Sequence, residues 1–199
     1  ILTGAGPTTF CAGGDLRYFA TLTTREACLH MSRRMQALLD RLYFGDRVVI
    51  AAVNGQALGG GCEILTACHF RIAAESAVFA FRQAPNGIIT GWGGGRRLFR
   101  LIGRSQALRL LLTGERIDAA GALRLGLVDQ VVPADQVLPT ARALAESITC
   151  HAPEVLAAFL KLARAVEEMP PEKVAELETQ LFADLWIQPP FQEFLRKFK

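Results

Sequence analysis

Val53-Asn54-Gly55-Gln56-Ala57-Leu58-Gly59-Gly60-Gly61-Cys62-Glu63 is the stretch on which the reading of this chain turns. Val48 to Val53, which leads into it, is a continuous apolar run, as expected of a strand buried on both faces. Asn54-Gly55 breaks that run, and Gly59-Gly60-Gly61 opens a helix through about Ala67. Glycines let a backbone approach a ligand closely and take up angles other residues avoid. A helix N-terminus adds unpaired N–H donors and a partial positive charge. No Gly-Lys-Ser/Thr ends the turn and no GxGxxG spacing occurs, so it is neither a P-loop nor a dinucleotide fingerprint.

A second glycine turn lies upstream, Phe10-Cys11-Ala12-Gly13-Gly14-Asp15-Leu16, after the apolar strand end Ile1-Leu2-Thr3. Either turn alone is equally well explained by tight packing. Two of them converging provide donors for an oxyanion, each worth about 3–4 kcal/mol to a transition state. Between them, Thr24 is placed to cap a long helix, with Cys28, Met31, Met35, Leu38, Leu39 and Leu42 at three- and four-residue steps. That stripe reads as a core face, a methionine-lined groove being the lesser alternative.

Downstream, Phe70–Ala73 and Ala77–Phe81 read as short strands, and Pro85-Asn86-Gly87 as a turn. Gly91-Trp92-Gly93-Gly94-Gly95 opens another helix. Ser105 and Asp118 are read as caps of two more, the latter ending at Gly126, and Leu127–Val132 as a last strand stopped by Pro133. Residues 134–149, 153–168 and 171–185 read as helices, the last ending near Pro189-Pro190. Strands alternating with helices and then helices alone define an α/β core over 1–133 and a helical region over 134–199.

Composition narrows the function classes. The chain has 199 residues, 51% hydrophobic and 21% charged, with a net charge of +3. That excludes a disordered chain, and the charge excess is too small to argue for nucleic acid. It suits an anionic ligand. The five cysteines (Cys11, Cys28, Cys62, Cys68, Cys150) show no CxxC spacing, which argues against a zinc site or a disulfide framework and for a reducing, cytoplasmic setting. No run is long enough for a membrane helix. The histidines, His30, His69 and His151, neighbour no nucleophile motif.

Taken together, the two turns resemble the oxyanion segments of the crotonase (enoyl-CoA hydratase/isomerase) superfamily. Leu112-Thr113-Gly114-Glu115-Arg116-Ile117-Asp118-Ala119, Gly126-Leu127-Val128 and Val131-Val132-Pro133 resemble its third signature. The resemblance implies stacked β-β-α turns with a C-terminal helical region, assembly as a homotrimer or dimer of trimers, and further strands ahead of Ile1. It implies an acyl-CoA substrate with no cofactor besides the coenzyme A of that substrate, and no metal. Carried onto this chain, the oxyanion donors are the amides of Gly14 and Gly60, and Ala12 faces the adenine. Gly13, Asp15, Gly59, Arg82 and Trp92 fall along the substrate. Glu63 is the acid/base group.

The family's second glutamate is replaced here by Gln83, which does not titrate. Hydration of a 2-enoyl-CoA stays the leading expectation. Decarboxylation of a methylmalonyl- or ethylmalonyl-CoA, with Arg82 pairing the extra carboxylate, and double-bond isomerisation are the alternatives. An inactive binding module is a further one. The basic end Phe194-Leu195-Arg196-Lys197-Phe198-Lys199 either approaches coenzyme A phosphates or is a solvated helix.

Overall fold

The computed structural model describes residues 1–198; Lys199, the last residue of the basic end, lies outside the described residues. The chain divides into two compact units, one of residues 1–43 with 49–145 and one of residues 44–48 with those from 146 onward.

The first unit is a spiral in which each turn lays one strand into each of two sheets before a helix carries the chain onward. β1 (Leu2–Thr3) and β2 (Thr9–Cys11) precede α1 (Leu16–Ala20) and α2 (Arg25–Tyr43). The next turn is β3 (Ile50–Val53), β4 (Gln56–Leu58) and α3 (Gly60–Leu65). The third is β5 (Phe70–Ala74), β6 (Val78–Ala80), α4 (Gly94–Ile102) and α5 (Arg104–Thr113). β7 (Ile117–Asp118), α6 (Ala119–Leu125) and β8 (Gln130–Val132) close the spiral, and α7 (Val137–Thr149) follows.

One sheet has the order β1-β3-β5-β8, all parallel, with Leu2 opposite Ala51, Ala52 opposite Ile72, and Ala73 opposite Val131. The other has the order β2-β4-β6-β7, parallel except for the last pair. All four residues of β3 are buried, which is why that strand reads as unbroken apolar sequence rather than as an alternation.

Several sequence expectations shift. Thr24 caps α2 through its Oγ1, which accepts from the Ala27 amide at 3.1 Å. Of the stripe on α2, Met31, Met35, Leu39 and Leu42 pack into one cluster, whereas Cys28 and Leu38 stay exposed. Ser105 is not a cap: α5 starts one residue earlier, behind Gly103 at φ 76°. Asp118 caps α6 as expected, with Oδ1 accepting from Gly121 N at 2.7 Å. The last strand begins only at Gln130. Left-handed Gly126 folds the chain back so that the amides of Leu127 and Val128 both reach the Ala122 carbonyl, which keeps those residues out of the ladder.

In the second unit, α8 (Pro153–Glu168) and α9 (Pro171–Trp186) are followed by α10 (Pro189–Arg196). α9 ends just before Pro189-Pro190, as expected, and the two prolines start a further helix, because a first-turn proline gives up only an amide with no intrahelical partner. A run of ring contacts, Phe182–Trp186–Phe191–Phe194–Phe198, joins α9 to the segment after α10, with centroids 4.5–6.1 Å apart. No helix among the described residues is long and apolar enough to cross a membrane.

Candidate active site

The two glycine turns are brought together by the β2–β4 pairing, Thr9 opposite Gln56 and Cys11 opposite Ala57, with an irregularity between them. Asn54 fastens the turn entrances. Its Oδ1 accepts from the Gly4 amide at 3.0 Å and its Nδ2 donates to the Gly6 carbonyl. In sequence, Asn54 read only as a strand breaker. The segments touch so closely that a Cβ on Gly61 or Gly55 would overlap the backbone of Cys11 or Thr8.

Gly13 is left-handed at φ +108°, and a Cβ there would lie 3.1 Å from the Leu58 carbonyl oxygen and 3.3 Å from the Gly60 nitrogen. Gly59, at φ 52° and ψ −113°, donates to Ala80 O at 2.8 Å and turns the chain into α3. Gly60 is the first residue of that helix, so its amide has no acceptor one turn back. The structure thus sets Gly13 of the first turn beside the Leu58 carbonyl and the Gly60 nitrogen of the second. Asp15 instead caps α1, accepting from Arg17 N at 2.8 Å and Tyr18 N at 3.3 Å, and Ala12 is exposed.

Glu63 lies one turn into α3 and is 2% exposed. Its carboxylate meets donors from two directions. Oε2 accepts from the amides of Trp92 at 2.8 Å and Gly94 at 2.9 Å, and Oε1 accepts from Gln83 Nε2 at 3.0 Å. Gly94 is the first residue of α4, so the carboxylate also faces that helix's positive end. Burial pushes the Glu63 carboxyl above the usual glutamate range, while the amides of Gly94 and Trp92 and the Gln83 side chain pull it back. A Cβ on Gly94 would land within 2.6–2.8 Å of Glu63 Cβ and Cα, so a glycine is required where α4 starts. The Gly91–Gly95 run read only as a helix start. Its second role, docking Glu63, is a tertiary contact.

Gln83 is buried beside Glu63, and its Oε1 has no hydrogen-bond partner among the described residues. The neighbouring Arg82 is exposed and donates to the Gly114 carbonyl at 2.9 Å, apart from the Glu63 cluster. Trp92 is 8% exposed; its ring covers Gly60 and its Nε1 donates to Met31 Sδ at 3.4 Å. Phe19, which drew no notice in sequence, has its ring against Gly14.

Other titratable groups nearby are structural. Cys62 donates to Ala57 O at 2.9 Å, and burial pushes its thiol up to about 12, so it is no nucleophile. His69 Nδ1 accepts from Val49 N at 3.0 Å, and burial lowers its pKa. Among the described residues no group of three or more His, Cys, Asp or Glu is arranged to hold a metal ion.

A family model for enoyl-CoA hydratase/isomerase matches residues 1–199. The chain belongs to the enoyl-CoA hydratase/isomerase family. Within that family it is 42% identical over 157 residues to the short-chain-enoyl-CoA hydratase of Clostridium acetobutylicum, covering 77% of this chain and 58% of that protein. It is 34% identical over 200 residues to the ethylmalonyl-CoA decarboxylase of Gallus gallus, covering 99% of this chain and 67% of that protein. The crystal structure of an enoyl-CoA hydratase from Bacillus anthracis superposes with a TM-score of 0.92 at 36% identity, covering 98% of this chain and 76% of that one. The spiral of β-β-α turns is the crotonase fold. The chain spans 56–60% of the length of the first curated relatives it matches.

Proposed function

We propose that the full-length protein acts on acyl-CoA thioesters and that its reaction is the reversible addition of water to a 2-enoyl-CoA. The observation that carries this reading is the meeting of the Gly13-Gly14 and Gly59-Gly60 turns one helical turn from a buried, amide-held glutamate. A thioester oxygen accepting from the amides of Gly14 and Gly60 gains most from them when it carries enolate charge, which is what makes the contact catalytic. Glu63 takes a proton from water as the water oxygen bonds to the β-carbon, and returns a proton to the α-carbon. Its raised carboxyl moves towards the range where one group serves as base and then as acid. Gln83 steadies Glu63 through Nε2, and its free, buried Oε1 is an acceptor for the attacking water.

Gln83 also supports a second reading. With no second carboxylate to move protons, a malonyl-type thioester is a fitting substrate: it loses CO2 to give the same enolate, which is then protonated, and the neutral amide of Gln83 adds no second like charge to that of Glu63. Isomerisation needs one base only, and Glu63 meets that need. Ala12, Gly13, Gly59 and Trp92 line the substrate in each case, with Asp15 holding the α1 start and Arg82 at the rim. The reading includes a cytoplasmic setting and a homotrimer or dimer of trimers. The assembly is supported by large apolar side chains left open in the second unit, Phe159 at 68% and Phe182 at 61% exposed among them.

The experiment is a panel of crotonyl- to hexadecenoyl-CoA, 3-enoyl-CoA and ethylmalonyl-CoA, followed by mass spectrometry with chromatographic separation. Gain of one water on a 2-enoyl-CoA supports hydration. Loss of CO2 from the malonyl thioester alone selects the second reading, and no turnover of any of them rejects the acyl-CoA assignment.

A further inference from the structure

Both glycines assigned to the oxyanion site are faced, on the side where a side chain would stand, by an aromatic ring. A Cβ on Gly60 would fall 2.6 Å from Trp92 Cη2 and 2.9 Å from Cε3, and one on Gly14 would fall 2.6 Å from Phe19 Cε2. The two rings meet edge to face, with centroids 6.4 Å apart and an interplanar angle of 81°. Behind them the space is filled. Trp92 forms a buried cluster with Leu39 and Ala67, against which Phe19, Met31, Met35, Leu42, Tyr43 and Ile64 pack. The indole is further held by its donation to Met31 Sδ.

We propose that Trp92 and Phe19 form an aromatic stop at the inner end of the acyl site and restrict it to acyl groups of a few carbons. This rests on the acyl-CoA reading above. A thioester whose oxygen sits on the Gly14 and Gly60 amides has its coenzyme A side towards exposed Ala12. A chain leaving the carbonyl carbon towards the interior meets the two rings within its first carbons. A longer chain must displace a ring that is already in contact on its far side, which close-packed interiors resist. Its other course is outwards into solvent, where the chain gains little burial. The methionines of α2 are thus the backing of the stop, where their spacing alone also allowed a groove.

The test measures binding and turnover on the intact protein. Affinities for saturated butyryl-, hexanoyl-, octanoyl- and decanoyl-CoA are read by calorimetry, and kcat/KM for the matching 2-enoyl thioesters by absorbance. The expected result is a fall of about tenfold or more in both from four to ten carbons. Trp92→Ala, and separately Phe19→Ala, should raise the decanoyl-to-butyryl ratio by about tenfold. A ratio is used because it is insensitive to the fraction of folded enzyme, and Phe19→Leu is a milder variant should either alanine fail to fold. Equal affinity for butyryl- and decanoyl-CoA in the wild type overturns the proposal, as does a ratio unchanged in the folded variants. Binding of no thioester at all overturns the acyl-CoA reading itself, a different result from binding that ignores chain length.

Discussion

Replacing Glu63 with Gln should separate catalysis from folding, and the structure allows both sides to be worked out. The Glu63 carboxylate accepts from Trp92 N, Gly94 N and Gln83 Nε2 at 2.8–3.0 Å. In Glu63→Gln the amide oxygen stays on the two backbone donors. The new NH2 faces Gln83, which turns its own amide over and presents Oε1, an acceptor with no partner in the native arrangement. All three hydrogen bonds therefore survive in neutral form. Each changes from about 1.5–3 kcal/mol to about 1 kcal/mol, a total loss of about 1.5–6 kcal/mol. Removing a buried charge returns several kcal/mol. The net change in unfolding free energy should stay within about 2 kcal/mol.

Activity should fall by about 10²–10⁴-fold, because Gln moves no proton. The pH dependence has a definite sign. Burial raises the folded-state carboxyl of Glu63 above its unfolded value, so its contribution is fully present below the unfolded pKa and is lost as pH rises through the folded one. Urea midpoints of wild type and variant, taken from about pH 4 to pH 8, should therefore shift in favour of Glu63→Gln as pH increases. A folded variant retaining activity within about threefold of wild type would refute the assignment of Glu63. A stability difference moving the other way with pH would refute the account of its burial.

Three further outcomes follow from individual contacts. Gly60→Ala places a Cβ inside the Trp92 ring and should cost about 1–3 kcal/mol in urea melts and about 10²–10³-fold in kcat, whereas Gly6→Ala, with nothing within 4 Å, should leave both unchanged. Asp40→Ala removes the partner of Arg97, whose side chain is 1% exposed and pairs with Asp40 Oδ1 at 3.0 Å. Because Asp40 is 32% exposed, the loss should be about 1–3 kcal/mol in urea, below that of a fully buried pair. Asp118→Ala deletes the α6 cap and should lower stability by about 1 kcal/mol with kcat retained, checked by thermal melts beside turnover.

How much was legible in sequence depends on the range of the interaction behind each feature. β3 was visible because burial on both faces leaves its mark on every residue from Ile50 to Val53. α2 was visible because one helical face recurs over nineteen residues. The strands β2, β4 and β7 were not, since elements of two or three residues show no periodicity and exist only through their neighbours in the sheet. Leu38 matched the α2 spacing yet stays exposed, because spacing marks a face and packing decides how wide that face is.

The sequence by itself determined the glycine turns, the acidic residue one turn after the second of them, and an amide that does not titrate at position 83. These are local facts, set by which residues tolerate left-handed backbone and which side chains titrate. Only the tertiary structure decided what Glu63 faces, since its donors come from residues 83, 92 and 94, carried to it by the third turn of the spiral. The same holds for the rings of Phe19 and Trp92 against Gly14 and Gly60. Contacts between residues tens of positions apart depend on how the sheets stack, and no local pattern in the chain encodes that stacking.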